Sequence, residues 1–124
     1  MISGIGVDIV EIHRIEKAVN RTKSFLEKTF SEEELEFFKN KKLRIEQIAG
    51  RFAAKEAISK ALGTGFRGFS FRDLTIINDE LGKPIVILSE NAKKIVGKDG
   101  NYKIHISISH SNDNAIAYAI LEVE

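Results

Sequence analysis

The tract from Ala49 to Gly65, AGRFAAKEAISKALGTG, limits the fold more than any other stretch of the chain. Placed at 100° per residue, Ala54, Ile58, Ala61 and Leu62 fall on one stripe. The spacing predicts a long helix from about Arg44 to Leu62, with Gly63 as its stop. Glu56 interrupts the apolar run. It has Phe52, Ala53 and Ala49 in the turns behind it and Lys60 one turn ahead. A carboxylate among small apolar neighbours leaves room for another backbone or a ligand to come close. A Glu followed by a Lys at i,i+4 is also an ordinary surface pair, contributing about 0.2–0.5 kcal/mol to a helix. On this helix alone both readings stand.

The amino-terminal SGIGVDIV alternates with a period of two: Ile5, Val7 and Ile9 share one face, and Gly4, Gly6 and Asp8 share the other. It reads as a strand with Asp8 on its glycine side. Ile12, Ile15 and Val19 then change the period to that of a helix. Ser31 followed by Glu34 is a capping-box pattern ahead of Leu35 and Phe38, predicting a short second helix. LTII and PIVIL, separated by NDELGK, read as one hairpin. Ser89 is placed to cap a brief helix through ENAKKIV. The tail, with Ile104, Ile106 and Ile108 alternating with His105, Ser107 and Ser109 before HSNDN, reads as a second hairpin. Strands and helices segregate, so the expectation is one α+β domain over residues 1–124, an antiparallel sheet with a long central helix.

Composition removes several function classes. A chain of 124 residues suits one core. Nineteen Lys and Arg against eighteen Asp and Glu leave a net charge of +1, which argues against nucleic-acid binding over the whole surface but leaves room for a local basic patch. No apolar run approaches a membrane span, and MISGIGVDIV lacks the basic start of a secretory signal, so a cytoplasmic protein without a membrane partner is expected. There are no cysteines. Thiolate nucleophiles and cysteine-held zinc are therefore excluded, and any metal must be held by oxygen or imidazole.

Asp is disfavoured in strands, so Asp8 has little local reason to be where it is. Two carboxylates from distant segments, Asp8 and Glu56, make a candidate Mg2+ site, since that ion takes one or two carboxylates and completes its shell with water and phosphate.

GIGVDIVEIHRI and AGRFAAKEAISKALGTG together resemble the holo-acyl-carrier-protein synthases, the small single-domain 4'-phosphopantetheinyl transferases. GKP and HISISHS follow in the expected order and are similar to later signatures of that family. The resemblance spans essentially the whole chain. It implies the 4'-phosphopantetheinyl transferase fold and transfer of the 4'-phosphopantetheine arm of coenzyme A to a serine of apo acyl carrier protein in fatty acid biosynthesis, with release of adenosine 3',5'-bisphosphate. The nucleophile then belongs to the partner, so a chain without cysteine loses nothing.

By the same resemblance Asp8 and Glu56 hold Mg2+ at the coenzyme A diphosphate, and Lys60 reaches a phosphate oxygen as a point charge. Gly63 and Gly65 let the backbone approach the cofactor. Arg51 pairs with a nucleotide phosphate, Lys83 and Pro84 line the adenine pocket, and His105 and His110 border the coenzyme A site. A water on the metal oriented by Glu56, and Glu56 itself, are both open as acceptors of the serine proton. Arg14, with Arg21, is the expected docking face for an acidic carrier on the first helix. Lys23 and Lys28 either extend that face or are ordinary solvated charges, the run KNKKLR either serves the nucleotide 3'-phosphate or solvates a loop, and His13 reads as simply exposed. Members of the family are homotrimers with active sites between subunits. The Ile-rich carboxy-terminal strands would then either form that interface or fill the chain's own core. Two rivals remain. A non-catalytic coenzyme A or nucleotide-binding module would keep Lys60 and the glycines without needing both acids. A basic-face interaction or nucleic-acid-binding domain would bind with steep salt dependence.

Overall fold

The computed structural model describes residues 1–97 and 101–124. In chain order the elements are β1 (Ile2–Glu11), α1 (Ile12–Arg21), α2 (Phe25–Thr29), α3 (Glu32–Lys41), α4 (Ile45–Leu62), β2 (Leu74–Asn78), β3 (Pro84–Leu88), α5 (Glu90–Val96), β4 (Tyr102–His110) and β5 (Asn114–Val123), with a 3-10 turn at Phe71–Asp73 before β2. Three antiparallel strands form one sheet in the order β1-β5-β4, and β2 pairs with β3 in a second. The α+β expectation, both hairpins and the long helix all match this architecture. No described helix is long and apolar enough to cross a membrane.

The helix α4 lies across the inner face of the three-stranded sheet, and small residues set how close it comes. Ala115, Ala117 and Ala119 of β5 and Ala53, Ala54 and Ala57 of α4 are all fully buried. Gly4 and Gly6 of β1 face the same helix: a Cβ on Gly4 would stand 1.8 Å from the Ala61 carbonyl oxygen, and one on Gly6 would stand 1.9 Å from that of Ala57. The glycine side of β1 is therefore the packed side, because only a residue without a Cβ fits against helix backbone at that distance. Ile104, Ile106 and Ile108 of β4 pack on the same core with Leu74, Ile76 and Leu88 from the second sheet. Of the two readings of the tail strands, the isoleucines of β4 fill the chain's own core, whereas Ile116 and Ile120 of β5 lie on the other face of the sheet.

The outer face of the sheet has a different composition. Ile5 is 65% exposed and Ile9 61% exposed. Across the ladder Ile5 sits opposite Ile120, Val7 opposite Tyr118 and Ile9 opposite Ile116. An apolar stripe therefore runs along β1 and β5 without a covering layer in this chain, beside the polar His105, Ser107 and Ser109 of β4.

Around the other side of α4, three helices close the domain. Ile12 and Ile15 of α1 are buried with Ala49. Ser31 caps α3 with the reciprocal pair the sequence announced: its hydroxyl accepts from the Glu34 amide at 3.3 Å, and Glu34 Oε1 accepts from the Ser31 amide at 3.0 Å. Ser89 caps α5 through the Ala92 amide at 3.1 Å.

Candidate active site

Asp8 projects from the glycine side of β1, two residues beyond Gly6, so the close backbone contact that seats β1 on α4 also delivers its carboxylate to the helix. Lys60 meets it there. Its ammonium donates to Asp8 Oδ1 at 3.0 Å and to the Val7 carbonyl at 3.1 Å. Glu56 stands one turn back along α4 on the same side. Burial and the neighbouring Asp8 charge raise its pKa above the ordinary glutamate value, with Lys60 acting in the opposite direction. Two acids and one ammonium, from segments roughly 50 positions apart in sequence, thus share one electrostatic site.

The helix ends where the sequence placed its stop. Gly63 at φ 77° and Gly65 at φ 63° are both left-handed, and a Cβ at either would meet open space. They are glycines for their backbone angles, and the loop they open is exposed.

Lys83, Pro84 and His105 gather elsewhere. With Lys93, Lys103 and Ile106 they line a groove of about 610 Å³ where β3 runs beside β4. The groove has cationic walls on an apolar floor, which suits a phosphorylated aromatic group. His105 lies on the outer sheet face, its Nε2 2.9 Å from Glu122 Oε1, and that hydrogen bond holds the Glu122 carboxyl below its ordinary value. Asp8 lies on the inner face with β5 between the two strands. Within one chain His105 and Asp8 lie on opposite faces of the sheet, and none of Asp8, Glu56 and Lys60 lines the groove, which wraps the β4 edge.

Arg51 joins neither group. It is almost fully buried, donating to the Gln47 carbonyl at 3.2 Å and to Asn78 Oδ1 at 2.9 Å, with its guanidinium 5.5 Å above the Phe37 ring. Its Nε has no partner among the described residues. His110 is exposed at the end of β4, with Nδ1 3.3 Å from the Ser111 carbonyl oxygen. Arg14 and Arg21 are exposed on α1, and Arg14 borders a recess shared with Ile9, Ile15 and Phe52. His13 is exposed, as read.

The sequence reading missed a buried charge pair. Lys55, beside Glu56, is fully buried against Glu34. The signal was present: Lys55 lies three residues before Ile58 and seven before Leu62, which puts a lysine in line with the core stripe of α4.

Among the described residues no three His, Asp or Glu side chains come together as a metal cluster. Asp8 and Glu56 are two oxygen donors in one place, enough protein ligands for Mg2+, which keeps several waters and takes substrate phosphates. The donor set fits that ion.

Residues 4–119 match the model of the 4'-phosphopantetheinyl transferase superfamily. Over all 124 residues the chain is 60% identical to a protein of Clostridium novyi named holo-[acyl-carrier-protein] synthase, covering 90% of that protein. The crystal structure of the holo-[acyl-carrier-protein] synthase from Neisseria meningitidis superposes with a TM-score of 0.91 at 37% identity, covering 98% of this chain and 99% of that one. That of a holo-(acyl-carrier-protein) synthase from Bacillus anthracis in complex with CoA (3',5'-ADP) gives a TM-score of 0.81 at 43% identity, covering 100% of this chain and 99% of that one.

Proposed function

The chain belongs to the 4'-phosphopantetheinyl transferase superfamily, and from that membership we propose that it transfers the 4'-phosphopantetheine arm of coenzyme A to a serine of apo acyl carrier protein, with Mg2+ as cofactor. The observation that carries this reading is the convergence of Asp8, Glu56 and Lys60, which supplies both the acids and the cation that a diphosphate needs.

The chemistry is one substitution at phosphorus. The carrier serine oxygen bonds to the phosphorus that bears the pantetheine arm, the diphosphate P–O bond breaks, and adenosine 3',5'-bisphosphate leaves with the electron pair. Asp8 and Glu56 would hold Mg2+, which when bound offsets charge on the diphosphate. Lys60 already lies against Asp8 and reaches a phosphate oxygen by rotation of its flexible stem. Glu56 is the acceptor at the end of the serine proton's path, directly or through a water that it orients. Gly63 and Gly65 bring backbone close to the cofactor without side chains in the way.

The nucleotide end is assigned to the groove of Lys83, Pro84 and His105, with the exposed His110 outside it as a further phosphate-binding residue; the expected phosphate contact of Arg51 would require its buried guanidinium to leave Gln47 and Asn78. Because His105 and Asp8 lie on opposite faces of the sheet with β5 between their strands, and none of Asp8, Glu56 and Lys60 lines the groove, the reading requires a neighbouring copy to complete the site. The exposed stripe of Ile5, Val7, Ile9 and Tyr118 is the surface assigned to that contact, in a homotrimer. The acidic carrier docks on α1 through Arg14 and Arg21. The reaction is assigned to the cytoplasm.

The test is a mass measurement on apo acyl carrier protein incubated with the chain, coenzyme A and Mg2+, with and without a chelator. The carrier should gain one phosphopantetheine arm only without chelator. An unmodified carrier despite bound coenzyme A would replace this reading with the non-catalytic binding module.

A further inference from the structure

The pair Lys55–Glu34 has no role in the transfer just described, yet it is the most heavily bonded ion pair in the structure. Both side chains are fully removed from solvent. The Lys55 ammonium donates to Glu34 Oε1, to the Thr29 carbonyl at 2.9 Å, to the Phe71 carbonyl at 2.9 Å and to the Leu74 carbonyl at 2.7 Å, and it lies 4.8 Å from the centre of the Phe30 ring. Its three protons are thus spread over four acceptors. Glu34 Oε1 also accepts from the Ser31 amide, and Oε2 accepts from the buried Ile76 amide at 3.1 Å. One charge pair therefore ties the end of α2, the start of α3, the 3-10 turn and β2 to the middle of α4.

Stability alone does not explain it. Burial opposes both charges, pushing Lys55 down to about 8 and Glu34 up from its ordinary value, and apolar residues of like volume usually hold such a core as well or better. What apolar residues cannot do is fix three carbonyls and two amides at one point. The location of that point suggests its purpose. The chain leaves α4 at Leu62, makes the exposed excursion Gly63–Ser70, and returns at Phe71, whose carbonyl is bound by Lys55. The Phe71 ring stacks on Phe52, one turn before Glu56, with centroids 5.4 Å apart, and on Phe66 of the loop at 4.1 Å. Within the excursion, side-chain hydrogen bonds are sparse: Thr64 to the Gly65 carbonyl, the Ser70 hydroxyl to Asp73, and Asn91 to the Gly68 carbonyl. Phe69 anchors the later half of the loop in the core, with Phe66 packed beside it, so the glycine-bearing first half, Gly63–Gly65, is held by the end of α4 and by what seats Phe66, Phe69 and Phe71.

We propose that Lys55 and Glu34 are positioning residues: the buried pair pins the return stem of the Gly63–Ser70 loop and so fixes the glycine backbone relative to Glu56 and Lys60. The proposal rests on the reading that this loop borders coenzyme A. It assigns to the pair an effect on cofactor affinity, with little effect on chemistry once the cofactor is seated.

The double variant E34L/K55M tests it, since removing both charges together leaves none unpaired. By circular dichroism and thermal melting it should stay folded. Its KM for coenzyme A should rise at least about tenfold through misplacement of the loop, with kcat and the KM for carrier little changed. A folded double variant with an unaltered KM for coenzyme A would overturn the proposal. Should that variant not fold, hydrogen exchange on the unmutated chain decides: coenzyme A should slow exchange through residues 63–74 and at the Ile76 amide, and no slowing there would equally overturn it. An unmutated chain that binds coenzyme A but modifies no carrier would instead remove the transferase reading, leaving the loop measurement intact.

Discussion

Gly6 rests directly on the carbonyl of Ala57, close enough that a Cβ at Gly6 would come within 1.9 Å of that oxygen. The contact joins two backbones with no side chain between them. Asp8 follows Gly6 by two residues on the same strand face, and Glu56 immediately precedes Ala57. The geometry of the acid cluster is therefore set by a glycine that carries no chemistry.

Gly6→Ala should consequently act on both fold and site. The obstructing atom is helix backbone, which has no rotamer to yield, so β1 must lift away from α4. Overpacking of this kind costs about 3 kcal/mol or more. The melting temperature should fall by more than about 10 °C, read by scanning calorimetry. Transfer should fall further than the folded fraction does, because the shift separates Asp8 from Glu56. A Gly6→Ala variant with an unchanged melting curve would show that the two elements do not touch as described.

Glu56→Gln separates stability from function. Burial first, and then Asp8, raise the Glu56 pKa above the ordinary 4.5, against the pull of Lys60. A carboxyl with a raised folded pKa contributes its stability below the unfolded value and loses it as pH rises through the folded one. Near neutrality, ionised Glu56 is thus a net cost to the metal-free chain. The amide should raise stability at pH 7, by less than about 1 kcal/mol because Glu56 is partly open to screening solvent. The gain should vanish below about pH 4.5, where unfolded and folded glutamate are both protonated. Transfer should drop by at least about a hundredfold. Denaturant melts at the two pH values check the first expectation, and the mass assay checks the second.

Much of this site was legible in the sequence for definite reasons. Asp8 on a glycine-lined strand face and Glu56 in an alanine-rich helix are local patterns, and each implies a close neighbour. Gly63 ends its helix because only its left-handed backbone fits there. Which β1 face turned inward was harder to read, since hydrophobic rules favour Ile5 and Ile9 and packing favoured the glycines. The place of Lys55 in line with the core stripe of α4 was legible, but its pairing with Glu34 and that of Arg51 with Asn78, 21 and 27 residues apart, were not, because such partners meet only once the chain has folded. The separation of His105 from Asp8 likewise depends on strand order, which alternation alone does not specify.

Charge reversal on α1 tests the docking surface. Arg14→Glu leaves the acid cluster untouched and lies on an exposed face beside the Phe52 recess. Against an acidic carrier it should raise the carrier KM about tenfold, a loss of about 1.4 kcal/mol, with the KM for coenzyme A unchanged. Its penalty should shrink as salt rises from about 0.01 to 0.5 M, because exposed charges are screened. Equal kinetics for the variant and the unmutated chain at low salt would move the docking face elsewhere.

Mixing two inactive chains tests whether the site is shared. Asp8→Ala removes one acid of the cluster, and His105→Ala removes the imidazole from the cationic groove; the two residues lie on opposite faces of one sheet. If the site forms between copies, a mixed assembly contains junctions where an intact Asp8 faces an intact His105. In a randomised equal mixture about one half times one half, or a quarter, of the junctions are of this kind. Denaturing and refolding the two variants together should therefore restore about a quarter of the activity of the unmutated chain, while each alone stays low. Sites contained within single chains would restore none. A further change, Tyr118→Glu on the apolar stripe, should abolish the recovery by preventing association, and sedimentation should then report monomers.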